Sequence, residues 1–385
     1  MMNDAPLSRI EDLRALARSL PFPLNRCARW AGGTTYRLCR QARLALSRPT
    51  PVEVVLPEER TAQAQDETQA PTQTQIEMET RTEAEDRARV SEFWAMSPDD
   101  RAASGGMNWL HHPLVGRRVA MKAADRPDSD TYVHLFAELW SAGWSFPVPR
   151  VLSLGCGHGD LERGLMLHGV AERYDGIDLS EGAIERARHL AAAAGMHQIH
   201  YTVGDLEHAD FAEGAFDIVF FHHSMHHIED LESLCVAVRR ALRPGGVLHL
   251  DEYVGPDRFQ WTDAQLHHLN TFVQALPSRY RRLHTGDLMP ALVRPTIEQM
   301  IALDPSEAVR SSAIMETVRN HFRIVDVREL GGALLHMGLS GIAQNFDPED
   351  PEDAAHLEAF FELEDRLMAE GVIGSDFVTV TAVRD

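Results

Sequence analysis

Apolar and polar positions fall into two rhythms that alternate from about residue 148 onward. "RVLSLG" (150–155), "FDIVFF" (216–221) and "GVLHLDEYV" (246–254) are short, nearly unbroken apolar runs, as expected of strands buried on both faces. "YDGIDLS" (174–180) and "IHYTVGD" (199–205) are two more strands, each running out to an acid. Between them apolar residues return every three or four positions, over 160–168, over 180–195 with Ser180 as N-cap and Gly195 as terminator, and over "EDLESLCVAVRRALRPGG". "FRIVDVREL" (322–330) and "SDFVTVTAVR" (375–384) read as a sixth and a seventh strand. Strands alternating with helices predict an α/β fold, a Rossmann-like doubly wound sheet, mostly parallel, with its ligand beyond the carboxyl ends of the strands. The long stretches at about 255–321 and 331–374 are expected to be helical lid insertions, with helices over 262–283, 332–344 and 353–370.

The first 86 residues break that rhythm. Residues 1–50 carry nine arginines and no lysine against three acids, and Ile10, Leu13, Ala17 and Leu20 recur at helical spacing. They read as a basic helical segment, packed on its own chain or touching an anionic membrane surface or an acidic partner. Residues 51–86 are rich in Gln, Thr and Glu and nearly free of aromatics, a composition that cannot bury enough apolar surface to offset chain entropy. A disordered acidic linker is expected there, and a globular domain from 87 to 385.

Charge and composition narrow the field. The 385 residues have a formal net charge of −21, which argues against binding along a phosphate backbone, so no nucleic-acid partner is expected. Four cysteines (Cys27, Cys39, Cys156, Cys235) form no CxxC pair and no disulfide framework. No secretory h-region or membrane-spanning run is visible, so a cytoplasmic location is expected.

The chemistry gathers where the first strand ends, in "VPRVLSLGCGHGDLERG" (148–164). The third glycine falls at Gly159 rather than at 160, against a dinucleotide fingerprint, and no Gly-Lys-Ser/Thr follows, against a phosphate loop. Asp178 closes the second strand, where a carboxylate can accept both hydroxyls of a ribose. Asp205 closes the third, where an acid can accept from an exocyclic amine. Glycine loop, two acids, "FDIVFFHHSMHHI" and "RPGGVLHLDE" occur in this order, and the segment resembles the class I S-adenosylmethionine-dependent methyltransferases over about residues 148–254.

The resemblance implies that Gly155, Cys156, Gly157 and Gly159 line the methionine and ribose part of S-adenosylmethionine, the glycines leaving room for it. It implies that Asp178 holds the ribose, that Leu179 covers the adenine, that Asp205 and Leu206 flank the adenine edge, and that His222 reaches the methionine part. Where many members carry an acid two residues before the first glycine, this chain has Ser153. For proton removal from an acceptor the candidates are Glu252, His223, His227 and Tyr253, with Glu252 or His223 first. His222/His226 and His223/His227 are each four apart, yet without an HExxH or a cysteine no metal is expected. Arg279, Arg281, Arg282, Arg294 and Arg310 in the insertions suggest an anionic acceptor. A looser resemblance to bacterial surface-glycan proteins points to a small or oligomeric polar acceptor such as a sugar hydroxyl. The other reading is an S-adenosylmethionine-binding scaffold without turnover.

Overall fold

The computed structural model describes residues 83–96 and 107–385. The basic segment 1–50 and the linker as far as residue 82 lie outside the described residues. The last four residues expected in the linker, 83–86, instead open helix α1 (Glu83–Ala95).

Two helices, α2 (Pro113–Ala124) and α3 (Val133–Ser141), precede the sheet. Then follow β1 (Val148–Leu154), α4 (Asp160–Leu167), β2 (Ala171–Asp178), α5 (Glu181–Ala193), β3 (Ile199–Val203), β4 (Phe216–His222), α6 (Leu231–Ala241) and β5 (Leu242–Tyr253). The first insertion holds α7 (Asp263–Ala275), α8 (Ile297–Leu303) and α9 (Ile314–His321). Beyond β6 (Arg323–Gly331) the second holds α10 (Leu335–Gly338) and α11 (Pro351–Ala369), and β7 (Phe377–Val383) closes the sheet. The strand order is β3-β2-β1-β4-β5-β7-β6. β1 to β5 pair in parallel, and β7 runs antiparallel to both of its neighbours.

Burial along the strands explains their sequences. The first six residues of β4, Phe216 to Phe221, are all buried because helices cover both faces of this central strand. β6 alternates exposed and half-buried residues as an edge strand does, leaving Val325 and Val327 open to solvent. One apolar core joins β1, β4 and β5 to α6 and α9, and another packs β1 and β2 against α3, α4 and α5. A third core, with Trp109, Tyr253, Tyr280 and Phe360, lies beneath the inserted helices and α2. Each such side chain contributes about 1.5–3 kcal/mol by leaving water.

The helix ends follow local chemistry. Ser180 Oγ accepts from Ala183 N, and Thr262 and Thr296 each make a reciprocal capping box. The helix expected over 262–283 stops at Ala275 because Leu276 precedes Pro277, and a residue before proline is driven out of helical geometry. Among the described residues no helix is long and apolar enough to cross a membrane.

The topology fixes where a ligand must go. β2 and β3 lie on one side of β1, and β4 and β5 on the other, so the order reverses at β1. Leu154 stands level with Ile177 of β2 and Phe221 of β4. The loops leaving β1, β2 and β4 therefore rise together at the switch point.

Candidate active site

The first loop on this edge is "GCGHGD" (155–160). Gly155, Gly157 and Gly159 all have positive φ, at 69°, 52° and 77°, which any side chain would strain. Their surroundings differ. A Cβ on Gly155 would lie 2.4 Å from the Ser224 side chain, and one on Gly159 2.2 Å from the Tyr201 hydroxyl. Those two glycines make room for the protein's own side chains. Of the three, only Gly157 faces open space. The loop is braced by Asp178, whose Oδ2 accepts from Gly157 N and whose Oδ1 accepts from Ser180 N, both at 2.8 Å. Each oxygen keeps further accepting capacity.

Beneath the loop sits a group that no motif announced. Glu162, in the first turn of α4, is 1% exposed. Neither of its carboxylate oxygens has a partner in hydrogen-bond geometry. Burial pushes its pKa up to about 7, and the nearby Ser153 hydroxyl only partly offsets this. A carboxyl group thus reaches the Ser153 side chain from the helix.

A cavity of about 500 Å³ opens over the loop, within the roughly 300–1,000 Å³ of small-molecule sites. Of the expected cofactor residues Gly155, Asp178, Leu179, Asp205 and Leu206 line it, whereas Cys156, Gly157, Gly159 and His222 do not. Burial pushes the Cys156 thiol well up, so it stays neutral. Helix α1 closes the opposite wall with Asp86, Arg87, Val90 and Trp94. Arg87 pairs with Asp205 Oδ2 at 3.0 Å, and Ser180 Oγ donates to the Ser91 carbonyl at 2.7 Å. A Cβ on Gly182 would stand 2.7 Å from Ala95 Cβ, so the first turn of α5 is trimmed where α1 crosses it. No role was expected for α1, because its apolar positions form no clear stripe.

Leaving β4, the chain turns through His222, His223 and Ser224 into a short turn of helix, Met225–His227. His223 takes a left-handed conformation, φ 54°, and its N–H donates to the Asp251 carbonyl at 2.8 Å. Both imidazoles then face the Asp251 carboxylate, His222 Nδ1 at 3.6 Å from Oδ2 and His223 Nε2 at 3.7 Å from Oδ1. These are too long for hydrogen bonds. The Thr131 hydroxyl donates to Oδ2, while buried Oδ1 has no partner. Burial lowers the pKa of His223, with Asp251 opposing, so the ring is neutral at pH 7. His223, Ser224 and His227 line the cavity.

Two expected bases are corrected by their surroundings. Glu252 is fully buried and accepts from the N–H groups of Ser224, Met225 and Tyr253, at 2.9, 2.6 and 2.7 Å. His226 Nδ1 fills its remaining place. Burial opposes the charge, but His226 and these donors outweigh it and hold the carboxyl at about 2. Such a group orients His226 and cannot meet an acceptor. The Tyr253 hydroxyl donates to the Pro256 carbonyl at 3.0 Å, and burial pushes its pKa far up. It belongs to the core under the insertions.

The arginines expected to meet an anionic acceptor turn to the chain itself. Arg279 pairs with Glu352 at 2.9 Å, Arg294 with Asp263 at 2.5 Å, and Arg310 holds both oxygens of Glu232 at 2.7 and 2.8 Å. Arg281 donates to Gln274 and Arg282 to the Gly286 carbonyl. None of the five lines the cavity.

Residues 152–250 match the family described as "Methyltransferase domain". This segment is a class I S-adenosylmethionine-dependent methyltransferase domain. Ajmaline N-methyltransferase of Rauvolfia serpentina is 34% identical over 115 residues, 28% of this chain and 38% of that one. Sterol 24-C-methyltransferase of Candida albicans is 31% identical over 117 residues, 30% of this chain and 31% of that one. The chain thus spans about a third of the length of these two relatives. Among solved structures, an S-adenosylmethionine dependent methyltransferase from Mesorhizobium loti matches with a TM-score of 0.38 and 22% identity, covering 64% of this chain and 97% of that one.

The methyltransferase domain fits its cofactor on grounds of its own geometry. The backbone of Gly155, the spare lone pairs of Asp178 and the apolar Leu179 and Leu206 border the cavity and would give a nucleoside a close backbone approach, an acceptor for hydroxyls and two apolar contacts. Sequence reasoning missed Trp94, Ser306 and Glu307, which come from segments without a motif and reach the methyltransferase domain only through the fold. The Trp94 indole donates to Asp304 Oδ2 at 3.1 Å and stands edge-on to His227.

Proposed function

We propose that the protein transfers a methyl group from S-adenosylmethionine to a hydroxyl of a small polar molecule, a sugar hydroxyl being the favoured class, with His223 taking the proton. Asp178 holds the ribose hydroxyls, while Leu179, Asp205 and Leu206 surround the adenine. When bound, the cofactor supplies a methyl group on a sulfonium sulfur, so the chain has to align the acceptor and remove its proton. His223 Nδ1 accepts that proton, and its Nε2–H turns to Asp251 Oδ1, which gives the new imidazolium a counter-charge. A base of this kind contributes roughly 10²–10⁴-fold.

One observation carries the reading. A neutral imidazole lines the cavity next to Gly155, with a buried carboxylate oxygen that lacks a hydrogen bond 3.7 Å from its Nε2. The names of the two relatives point to nitrogen in one and carbon in the other, so kinship leaves the methylated atom open. The His223–Asp251 pair favours a hydroxyl, whose proton must leave. The arginine placement removes the reason to require an anionic acceptor.

Labelled S-adenosylmethionine offered with sugars, nucleotide sugars, phenols, amines and sterols tests this. Label recovered as an alkali-stable ether on a sugar hydroxyl, and lost in His223→Gln, is the expected result. Transfer confined to nitrogen or carbon, or full turnover in His223→Gln, sinks it.

A further inference from the structure

The turn carrying His226 and His227 meets the loop 304–309 in an arrangement that methyl transfer does not use. The loop is fixed from both sides. Val309 N donates to the His226 carbonyl at 3.1 Å, and Arg258 Nη1 donates to the carbonyls of Pro305 and Glu307 at 2.6 and 3.2 Å.

The proton positions follow from the partners. Ser306 Oγ gives its single hydrogen to Asp304 Oδ1 at 2.7 Å, so towards His227 Nδ1, 3.0 Å away, it can only accept. His227 Nδ1 therefore carries the ring proton, and Nε2 is a bare lone pair. That lone pair is buried and has no hydrogen-bond partner. In the adjacent ring, His226 Nδ1 is held by Glu252, which leaves Nε2 at 3.4 Å from Glu307 Oε1. One ligand atom from each of His226, His227 and Glu307 lies within 4.8 Å of the others. Ligands about 2.0–2.2 Å from a tetrahedral ion stand roughly 3.3–3.6 Å apart, so a small inward movement would close the set.

We propose that His226, His227 and Glu307 form a binding site for a first-row transition-metal dication such as zinc, with Glu252 and Ser306 orienting the two imidazoles. Two neutral nitrogens and one carboxylate suit a borderline ion and not magnesium or calcium. A hydrogen-bond acceptor behind each ring, fixing its tautomer, is what metal-binding histidines usually have. The ion displaces the proton that His226 Nε2 otherwise shares with Glu307. His227 and Ser306 border the cavity, so the ion can be reached by an oxygen of a molecule bound there. From the i,i+4 spacings in the sequence no metal was expected. The fold joins two adjacent histidines with a glutamate from a distant loop.

His222, His223 and Asp251 also converge, but His222 is exposed and neither ring has a hydrogen-bonded partner that fixes it. This contrast shapes the test. Tag-free, full-length protein is stripped with a chelator, then titrated with zinc chloride by calorimetry and with cobalt chloride by visible absorption. A single equivalent should bind with micromolar affinity or tighter, and the cobalt form should show the intense bands of a low-coordinate, imidazole-bound ion. His227→Gln and Glu307→Gln should each weaken binding by roughly tenfold or more, and Asp251→Asn should leave it unchanged. If a ligand variant fails to fold, by circular dichroism, the cobalt spectrum of the parent and of Asp251→Asn decides. No saturable binding, the pale spectrum of a hydrated ion, or loss that follows Asp251 overturns the site. Metal binding is read here without methyl transfer, so it stands or falls apart from the role of His223.

Discussion

Two of the buried glutamates, one under the glycine loop and one behind the histidine turn, behave in opposite ways. Glu162 is 1% exposed and Glu252 is 0% exposed, so dehydration penalises both charges. The pKa of Glu162 rises to about 7, while that of Glu252 falls to about 2. Burial therefore does not decide the charge. The donors decide it: three backbone N–H groups and an imidazole surround Glu252, and neither oxygen of Glu162 has a partner in hydrogen-bond geometry. Asp251 stands between them, with one oxygen held by Thr131 and one free. A carboxylate with every site filled is scaffold, and one with a site to spare can still assist chemistry.

The comparison can be broken where it is strongest. Glu252→Ala leaves the buried His226 Nδ1–H and three backbone N–H groups without an acceptor, which should cost about 3–5 kcal/mol in a denaturant titration. A loss under about 1 kcal/mol would show that the donors were not satisfied by this group. Glu162 should give the opposite signature. Its folded pKa of about 7 lies above the roughly 4.3 of an unfolded chain. The folded state therefore holds the proton more tightly, and its contribution is full below the lower value and lost as pH climbs through the higher. The loss amounts to about 4 kcal/mol. Melting temperatures should fall between about pH 4 and about pH 7, and Glu162→Gln should flatten the fall. An equal fall in the variant would remove Glu162 as the cause.

Two smaller effects sharpen the contrast on the side of chemistry. His223→Gln should lower kcat roughly a hundredfold, about 2.7 kcal/mol, with affinity for S-adenosylhomocysteine and the melting temperature kept. A loss of affinity in step with kcat would make His223 a binding residue instead. Asp178→Ala should weaken cofactor binding about tenfold, or 1.4 kcal/mol, measured by calorimetry. Unchanged affinity would detach β2 from the nucleoside.

The sheet could be read from the chain because its signals are local. Apolar runs such as Phe216–Phe221, stopped by turns, have few other conformations available. Helix limits were read less well where one residue decides, as Pro277 does for α7, and where a helix has no apolar stripe, as in α1. That Gly155, Asp178 and Asp205 meet at one cavity was legible too, since each sits at a strand end that the pattern marks. The histidine turn was not. Whether Glu252 is a base or a brace depends on how many donors point at it, and Ser224, Met225, Tyr253 and His226 give no sign of that in sequence. Glu307 and Ser306 are still less visible, because they reach the turn only through a loop pinned by Arg258.

The ion pair between Arg87 and Asp205 has one more consequence. It engages one oxygen of the carboxylate proposed to lie beside the adenine, and Arg87 belongs to the helix that walls the cavity. On the proposed function, arrival of the nucleoside would be an exchange, a neutral amine replacing a guanidinium, and the molecule being enclosed would unfasten the latch that encloses it. Added salt weakens the ion pair more than it weakens the uncharged contact that replaces it. The cofactor should therefore enter faster as ionic strength rises, the reverse of what attraction between opposite charges would give.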